Sequence, residues 1–137
     1  MKTKGQDVDI IVSGAGHAGL TLSLLLAKAG FKVGLIDPAP IKAVENIKPS
    51  ERTVALLNSS MNVIKAAIQT LDLDKTSTPL QTMRIVDDSG HGKDLMPVEF
   101  RAGEINEDQF GFNIPNAILK NILTLEVLKT KNIVVFD

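Results

Sequence analysis

Residues 8–37, VDIIVSGAGHAGLTLSLLLAKAGFKVGLID, contain the pattern that decides the fold of this chain. Residues 8–13 are a short apolar, β-branched run, which predicts a strand buried on both faces, as in a parallel sheet. A glycine-rich turn follows, and the leucine-rich residues 18–29 have the length of a helix that ends at Gly30. Residues 32–37 predict a second strand, so the segment predicts a strand–helix–strand unit with a right-handed crossover.

The turn between the first strand and the helix reads GAGHAG, residues 14–19. Gly14 permits a tight turn, Gly16 lets the backbone approach a pyrophosphate, and Gly19 lets the helix pack close to the strand. Exposed N–H groups and the positive end of the helix dipole would hold the phosphates. Glycines alone are weak evidence, but this position between a strand and a helix is the context that a dinucleotide site requires. We therefore expect the cofactor to be bound by Gly14, Ala15, Gly16, His17, Ala18 and Gly19.

The second strand ends in an acid, Asp37, which lies 18 positions after Gly19. A carboxylate there can accept hydrogen bonds from the two ribose hydroxyls of an adenosine, and it would repel a 2′-phosphate. NADP is therefore disfavoured at this turn, and FAD and NAD remain. The fingerprint continues with Ser23 and Gly30, a form that looks like that of two-domain FAD proteins. A hairpin-rich stretch then interrupts the strand–helix alternation, which also favours FAD over the plan of an NAD dehydrogenase.

The rest of the chain predicts further elements around this unit. Residues 39–50 read as a loop and residues 53–57 as extended chain. Ser59 or Ser60 is expected to cap a helix whose buried stripe consists of Met61, Ile64, Ile68 and Leu71. Asn116 is expected to cap a later helix. Residues 80–101 alternate with a period of two around turn residues 88–92, which predicts a β-hairpin with an edge at Pro97. Residues 133–136 predict a third buried strand, and the phenylalanines Phe100, Phe110 and Phe112 are expected in the core.

Composition narrows the class of partner. The chain has 137 residues, 15 basic and 16 acidic, for a formal net charge of −1, which gives no reason to expect nucleic acid. It has no cysteine, so disulfides and thiolate chemistry are excluded, and its two histidines are too few for a histidine-rich metal centre. No signal peptide is visible, and the most apolar stretch is too short to span a bilayer. A cytoplasmic location and a small-molecule ligand are expected, while peripheral contact with a membrane or a biosynthetic complex stays open.

Three segments resemble the FAD-dependent aromatic-ring hydroxylases, and within them most of all the ubiquinone-biosynthesis (polyprenyl-phenol) hydroxylases. They are residues 7–37, residues 50–56 (SERTVAL) and residues 110–116 (FGFNIPN). The resemblance implies a flavoprotein monooxygenase that uses NAD(P)H and O₂ to hydroxylate a small aromatic, ubiquinone-precursor-like ring. It also implies that Arg52 lies close to the FAD and that Asn116 begins a helix beside it.

The chain departs from that family at several positions. His17 stands where proline is frequent, Ser50 and Pro115 stand where acids are frequent, and Asp37 replaces the commoner glutamate. A neutral His17 without a catalytic role is expected at the start of a helix. The family's two later motifs, an Asp-Gly pair and a Gly-Asp pair that bind the cofactors, do not follow Phe136.

We therefore expect an α/β, Rossmann-like FAD/NAD(P)-binding domain with a parallel sheet and a β-hairpin insertion at residues 80–101, in incomplete form. Residues 1–137 would be its N-terminal part, with the ADP-binding unit at residues 1–38 and with the C-terminal flavin and substrate parts absent. No catalytic side chain is expected, and the chain alone would be inactive, with the missing half or an oligomer partner completing it. Two alternatives stay open: a non-catalytic nucleotide-binding or interaction module, and an NAD-dependent dehydrogenase. An exposed apolar face would favour the incomplete enzyme over the self-contained module.

Overall fold

The strand–helix–strand unit at the start of the chain is the centre of the fold. The computed structural model describes residues 7–45, 52–68, 73–87 and 97–136. In chain order the elements are β1 (Ile10–Ser13), α1 (His17–Lys28), β2 (Val33–Ile36), β3 (Thr53–Leu57), α2 (Asn58–Ala67), α3 (Leu73–Thr76), β4 (Thr78–Leu80), β5 (Thr82–Ile85), β6 (Val98–Arg101), a 3-10 helix (Ala102–Ile105), β7 (Gly111–Pro115), α4 (Asn116–Lys129) and β8 (Ile133–Phe136). The architecture is α/β, as predicted.

A parallel sheet with the strand order β1-β2-β8 forms the first layer. Helices α1 and α4 pack against each other and on one face of this sheet. The central strand β2 contributes Val33 and Leu35, and both side chains are fully buried beneath the helices. Leu20 of α1 and Leu119 and Leu123 of α4 are equally inaccessible. The predicted third strand at residues 133–136 therefore lies beside β2, where the crossover places it.

The opposite face of the parallel sheet is open, and the prediction that β1 is buried on both faces is wrong. Ile11 of β1 is 61% exposed, and Ile36 and Phe136 are 39% and 36% exposed. The parallel register places Ile36 beside Phe136 on this face. The continuous apolar run in the sequence matches a strand covered on both sides. Among the described residues, however, the helices α1 and α4 cover one side only.

Helix α1 spans His17–Lys28, one residue earlier at each end than the pattern predicts. At its C-terminus the N–H groups of Gly30 and Phe31 donate to the carbonyls of Ala27 and Leu26, at 3.1 Å each. This pairing satisfies carbonyls that the helix itself leaves without donors. The chain therefore turns at Gly30, as predicted, and enters β2.

A second, antiparallel sheet has the order β3-β7-β4. Strand β3 has the bounds predicted for the extended segment 53–57. Strands β7 and β4 were not predicted, because Gly111 and Pro115 bound the first and the second is only three residues long. Their pairing depends on partners distant in sequence, which local patterns do not reveal.

Helix α2 begins at Asn58, directly after β3, so the predicted cap at Ser59 or Ser60 is wrong. The capping position is Leu57, without a side-chain cap, and both serines lie in the first turn. Asn58 instead donates from Nδ2 to the carbonyl of Gln109 at 2.8 Å. The predicted buried stripe is present at Met61, Ile64 and Ile68, while Leu71 lies outside the described residues.

The hairpin segments pair as antiparallel strands β5 and β6, whose connection lies outside the described residues. Glu99 forms ion pairs with Arg84 and Arg101 on one face, and these two arginines hold the pKa of its carboxyl below the ordinary value. On the other face the register aligns Met83 with Phe100 and Ile85 with Val98, and all four are exposed. Phe100 is therefore not a core residue, contrary to expectation. Within the described part of the chain no helix has both the length and the apolar character needed to cross a membrane.

Candidate nucleotide-binding site

The glycine turn between β1 and α1 has the close packing that its sequence predicts. Gly14 has φ +105°, a backbone conformation that residues with a side chain rarely adopt. Its N–H donates to the carbonyl of Ile36 at 2.7 Å. A Cβ added at Gly19 would lie 1.9 Å from the carbonyl oxygen of Gly14. Gly16 differs, because no described heavy atom lies within 4 Å of the position of its missing Cβ. Gly14 and Gly19 are therefore required by the turn itself, whereas Gly16 borders open space.

The N-terminus of α1 faces this space with its backbone donors. Gly16 is the capping residue, and no side chain of the described chain caps the helix. The first turn contains no acid that would satisfy the helix dipole. The first N–H groups of a helix have no acceptor within the helix, and they carry the positive end of the dipole. Such an end is suited to an anionic group such as a phosphate.

Asp37 lies at the end of β2 and holds the turn in place. One carboxylate oxygen accepts the N–H of Ala15 at 2.6 Å, and the other accepts the N–H of Ala39 at 2.8 Å. These two backbone hydrogen bonds, Ala15 first, lower the pKa of the Asp37 carboxyl, and the charge of Lys120 lowers it further. The Ala15 N–H is thus donated to Asp37, and the donors that stay exposed for an anion are those at the start of α1.

Substitution of Asp37 tests this arrangement. Because its pKa is lower in the folded chain, the carboxylate stabilises the turn at pH values above its unfolded pKa of about 3.9. That stabilisation is lost as the pH falls through the lower folded value. We expect Asp37→Asn to reduce the loss of stability that the wild type shows as the pH falls through the acid range. We also expect it to weaken ADP binding about tenfold. Affinity is measured by calorimetry, and the pH dependence of stability is measured by thermal unfolding between pH 2 and pH 7.

Glu99→Gln is the matched control, because it also removes an acid of lowered pKa, but on the distant hairpin. We expect this variant to bind ADP like the wild type. Equal ADP affinity of Asp37→Asn and the wild type would contradict the expectation that Asp37 binds the ribose of a nucleotide.

Arg52 and Asn116 meet beside the glycine turn through their main chains. The N–H of Asn116 donates to the carbonyl of Arg52 at 2.9 Å. The carbonyl of Asn116 lies 3.2 Å from Nε2 of His17, and because a carbonyl oxygen can only accept, Nε2 is the donor. The first residue of α4 is Asn116 itself, and Pro115 is the capping residue, so the predicted Asn116 cap is wrong. The starts of α1, β3 and α4 are thus joined at one place, with the Arg52 side chain exposed there.

A cleft of about 390 Å³ extends from Ala15 and Asp37 between the segment that follows β2 and the first turns of α4. The first wall consists of residues 39–42 and Val44; the second consists of Ala117, Lys120, Asn121 and Thr124. Sequence reasoning missed the residues on α4. Their spacing of i, i+3, i+4 and i+7 places them on one helix face, but no local sequence signal marks that face as a wall of the cleft.

Known proteins resemble the chain in sequence over part of its length. No protein-family model matches it. A stretch of 57 residues, 42% of the chain, is 39% identical to the ubiquinone hydroxylase UbiM of Neisseria meningitidis serogroup C. That stretch corresponds to 12% of UbiM, so the chain spans a small part of this relative.

Solved structures resemble almost the whole chain in fold. Pseudomonas aeruginosa PqsL in complex with 2-aminobenzoylacetate matches 94% of the chain with a TM-score of 0.68 and 16% identity. The p-nitrophenol 4-monooxygenase PnpA of Pseudomonas putida matches 92% of it with a TM-score of 0.64 and 17% identity. The chain spans 33% and 30% of these two proteins. At such identities the likeness establishes a shared fold, which covers about a third of each of these two proteins.

Proposed function

We propose that this chain is the ADP-binding, N-terminal part of an FAD-dependent monooxygenase. The observation that carries the proposal is the open space at Gly16, which adjoins the uncapped N-terminus of α1. Asp37 accepts a hydrogen bond from Ala15, the residue before Gly16, and it lines the cleft. The order of an uncapped helix N-terminus, a carboxylate and a cleft supports an adenosine diphosphate as the ligand. The similarity to PqsL, which is described as a probable FAD-dependent monooxygenase, supports FAD as the cofactor that carries this group.

The residues of the chain fit the ADP half of FAD in separate roles. The N–H groups at the start of α1 would bind the pyrophosphate, and Gly16 would let it approach the backbone. Asp37 would accept hydrogen bonds from the ribose while it keeps the turn in position through Ala15. Arg52 and the start of α4 would border the cofactor on the far side of the turn. When bound, FAD supplies the redox chemistry, so the chain needs to bind and orient it rather than to provide a nucleophile or an acid–base pair.

The same relatives support a class of reaction for the complete enzyme. We propose that the complete enzyme takes electrons from NAD(P)H and uses O₂ to hydroxylate an aromatic ring of the ubiquinone-precursor type. UbiM is a ubiquinone hydroxylase, and PnpA is a p-nitrophenol 4-monooxygenase, so both are named for ring compounds. The chain would not carry out this reaction alone, because it spans about a third of the solved structures that it resembles.

Two exposed apolar faces favour an incomplete enzyme over a self-contained module. One is the open side of the parallel sheet, with Ile11, Ile36 and Phe136. The other, which we call the hairpin apolar face, consists of Met83, Ile85, Val98 and Phe100. Exposed apolar side chains grouped on one face support contact with another polypeptide segment. The remainder of the monooxygenase would cover both faces.

The exposure of these faces can be measured on the purified chain. We expect it to bind the apolar dye ANS strongly and to self-associate at high concentration. The double variant Ile85→Lys/Val98→Lys should reduce both effects, whereas Thr82→Lys, on the polar face of the same hairpin, should not. A wild-type chain that is monomeric and does not bind ANS would favour the self-contained module.

Titration of the 137-residue chain with FAD, NAD and ADP tests the proposed function directly. We expect FAD and ADP to bind weakly and with similar affinity, NAD to bind more weakly still, and NADPH oxidation to be absent. Calorimetry gives the affinities, and flavin fluorescence reports FAD independently. Preference for NAD over FAD would instead indicate a dehydrogenase, and failure of ADP to bind would overturn the proposal.

A further inference from the structure

The segment that follows β2 is a wall of the cleft, and it is fixed at three points. Its N-terminal end is held by the hydrogen bond from the Ala39 N–H to Asp37. In its middle, the side chain of Ile41 is buried in the hydrophobic core. At its far end the N–H of Val44 donates to Oδ1 of Asn121, on α4, at 2.8 Å. The third point is a hydrogen bond that joins the two walls of the cleft to each other.

Asn121 has no role in the glycine turn itself. Its side chain is half-buried on α4, in the turn of helix after Ala117. Its amide oxygen accepts the Val44 N–H, and this hydrogen bond holds the backbone at Val44 against α4. Without it, the segment would stay attached at Asp37 and Ile41, but its far end would gain freedom at the mouth of the cleft.

The two ends of the cleft differ in chemistry. Ala15 and Asp37 lie at the end next to the glycine turn, and Pro40 and Val44 give the segment an apolar surface at the other end. An inorganic pyrophosphate would occupy only the first end. A nucleotide that places its sugar at Asp37 would also place its apolar, planar base against the segment. The wall therefore matters for nucleosides and not for phosphates alone.

We propose that Asn121 is a positioning residue that holds the segment at residues 39–44 against the nucleoside part of the bound ligand. This inference rests on the proposed function, because it assumes that an adenine nucleotide occupies the cleft. It goes further in assigning recognition of the base and sugar to a contact that α4 supplies.

The test compares ligands of different size on three variants of the full chain. We expect Asn121→Ala to weaken AMP and ADP about threefold to tenfold and to leave inorganic pyrophosphate unchanged. Asn121→Asp keeps the acceptor oxygen, so it should restore slow hydrogen exchange at the Val44 amide, which Asn121→Ala loses. Asn62→Ala, an exposed asparagine on α2, is the matched control and should alter neither measurement.

The outcomes separate this inference from the function on which it rests. Equal loss of AMP, ADP and pyrophosphate in Asn121→Ala would indicate general destabilisation and overturn it. Unchanged AMP and ADP affinity would overturn it as well, while the proposed function would stand. A wild-type chain that binds neither ADP nor AMP would overturn both.

Discussion

Gly16→Val is expected to abolish measurable binding of ADP and FAD while the chain stays folded. A valine Cβ at this position meets no described atom within 4 Å, and Gly16 has φ −77° and ψ −178°, an extended conformation that valine adopts readily. The added methyl groups would instead fill the space through which a pyrophosphate reaches the N-terminus of α1. Loss of two charge-assisted hydrogen bonds corresponds to a decrease in affinity of about a hundredfold or more.

Calorimetry with ADP and a thermal unfolding curve of the same sample separate the two effects. Gly103→Val is the matched control, because Gly103 also has open space at its Cβ position and lies in the 3-10 helix beside the hairpin. We expect the control to bind ADP normally. ADP affinity that is unchanged by Gly16→Val would show that the nucleotide site lies elsewhere in the chain.

The parts of the fold that could be predicted are those encoded by neighbouring residues. The period of the apolar side chains and the glycine spacing identify β1, α1 and β2, and the same reasoning gives β3 and β8 their bounds. Strand β7 escapes such reasoning because Gly111 and Pro115 discourage a strand assignment, while its stability comes from pairing with β3 and β4. Long-range pairing of this kind overrides local propensity.

The candidate site divides in the same way. The glycines and Asp37 could be identified because the motif fixes their spacing along the chain. The hydrogen bond from Ala15 to Asp37 joins residues 22 positions apart, and the one from Val44 to Asn121 joins residues 77 apart. Neither leaves a local pattern, so Asn121 could not be linked to the segment after β2 from the sequence. The exposure of Ile11 was missed for a related reason, since an apolar strand has the same sequence whether or not a second layer covers it.

Gly19→Ala is expected to destabilise the fold by about 3 kcal/mol or more, in contrast to substitutions at Gly16. The new Cβ would lie 1.9 Å from the Gly14 carbonyl oxygen and 3.0 Å from its carbonyl carbon. Both atoms belong to the backbone of a turn that the N–H of Gly14 ties to β2, so neither can move without separating α1 from the parallel sheet. Since α1 contributes the buried Leu20 and Leu24 to the core, such a shift would open the centre of the molecule.

Urea unfolding, followed by circular dichroism, measures this loss, with Gly16→Ala as the matched control that adds the same methyl group three residues earlier. We expect the control to unfold within about 1 kcal/mol of the wild type, because its Cβ meets open space. A Gly19→Ala chain as stable as the wild type would mean that α1 lies further from β1 than the structure places it. In that case the N-terminus of α1 would also lie away from the turn, and the phosphate site would lose its geometric basis.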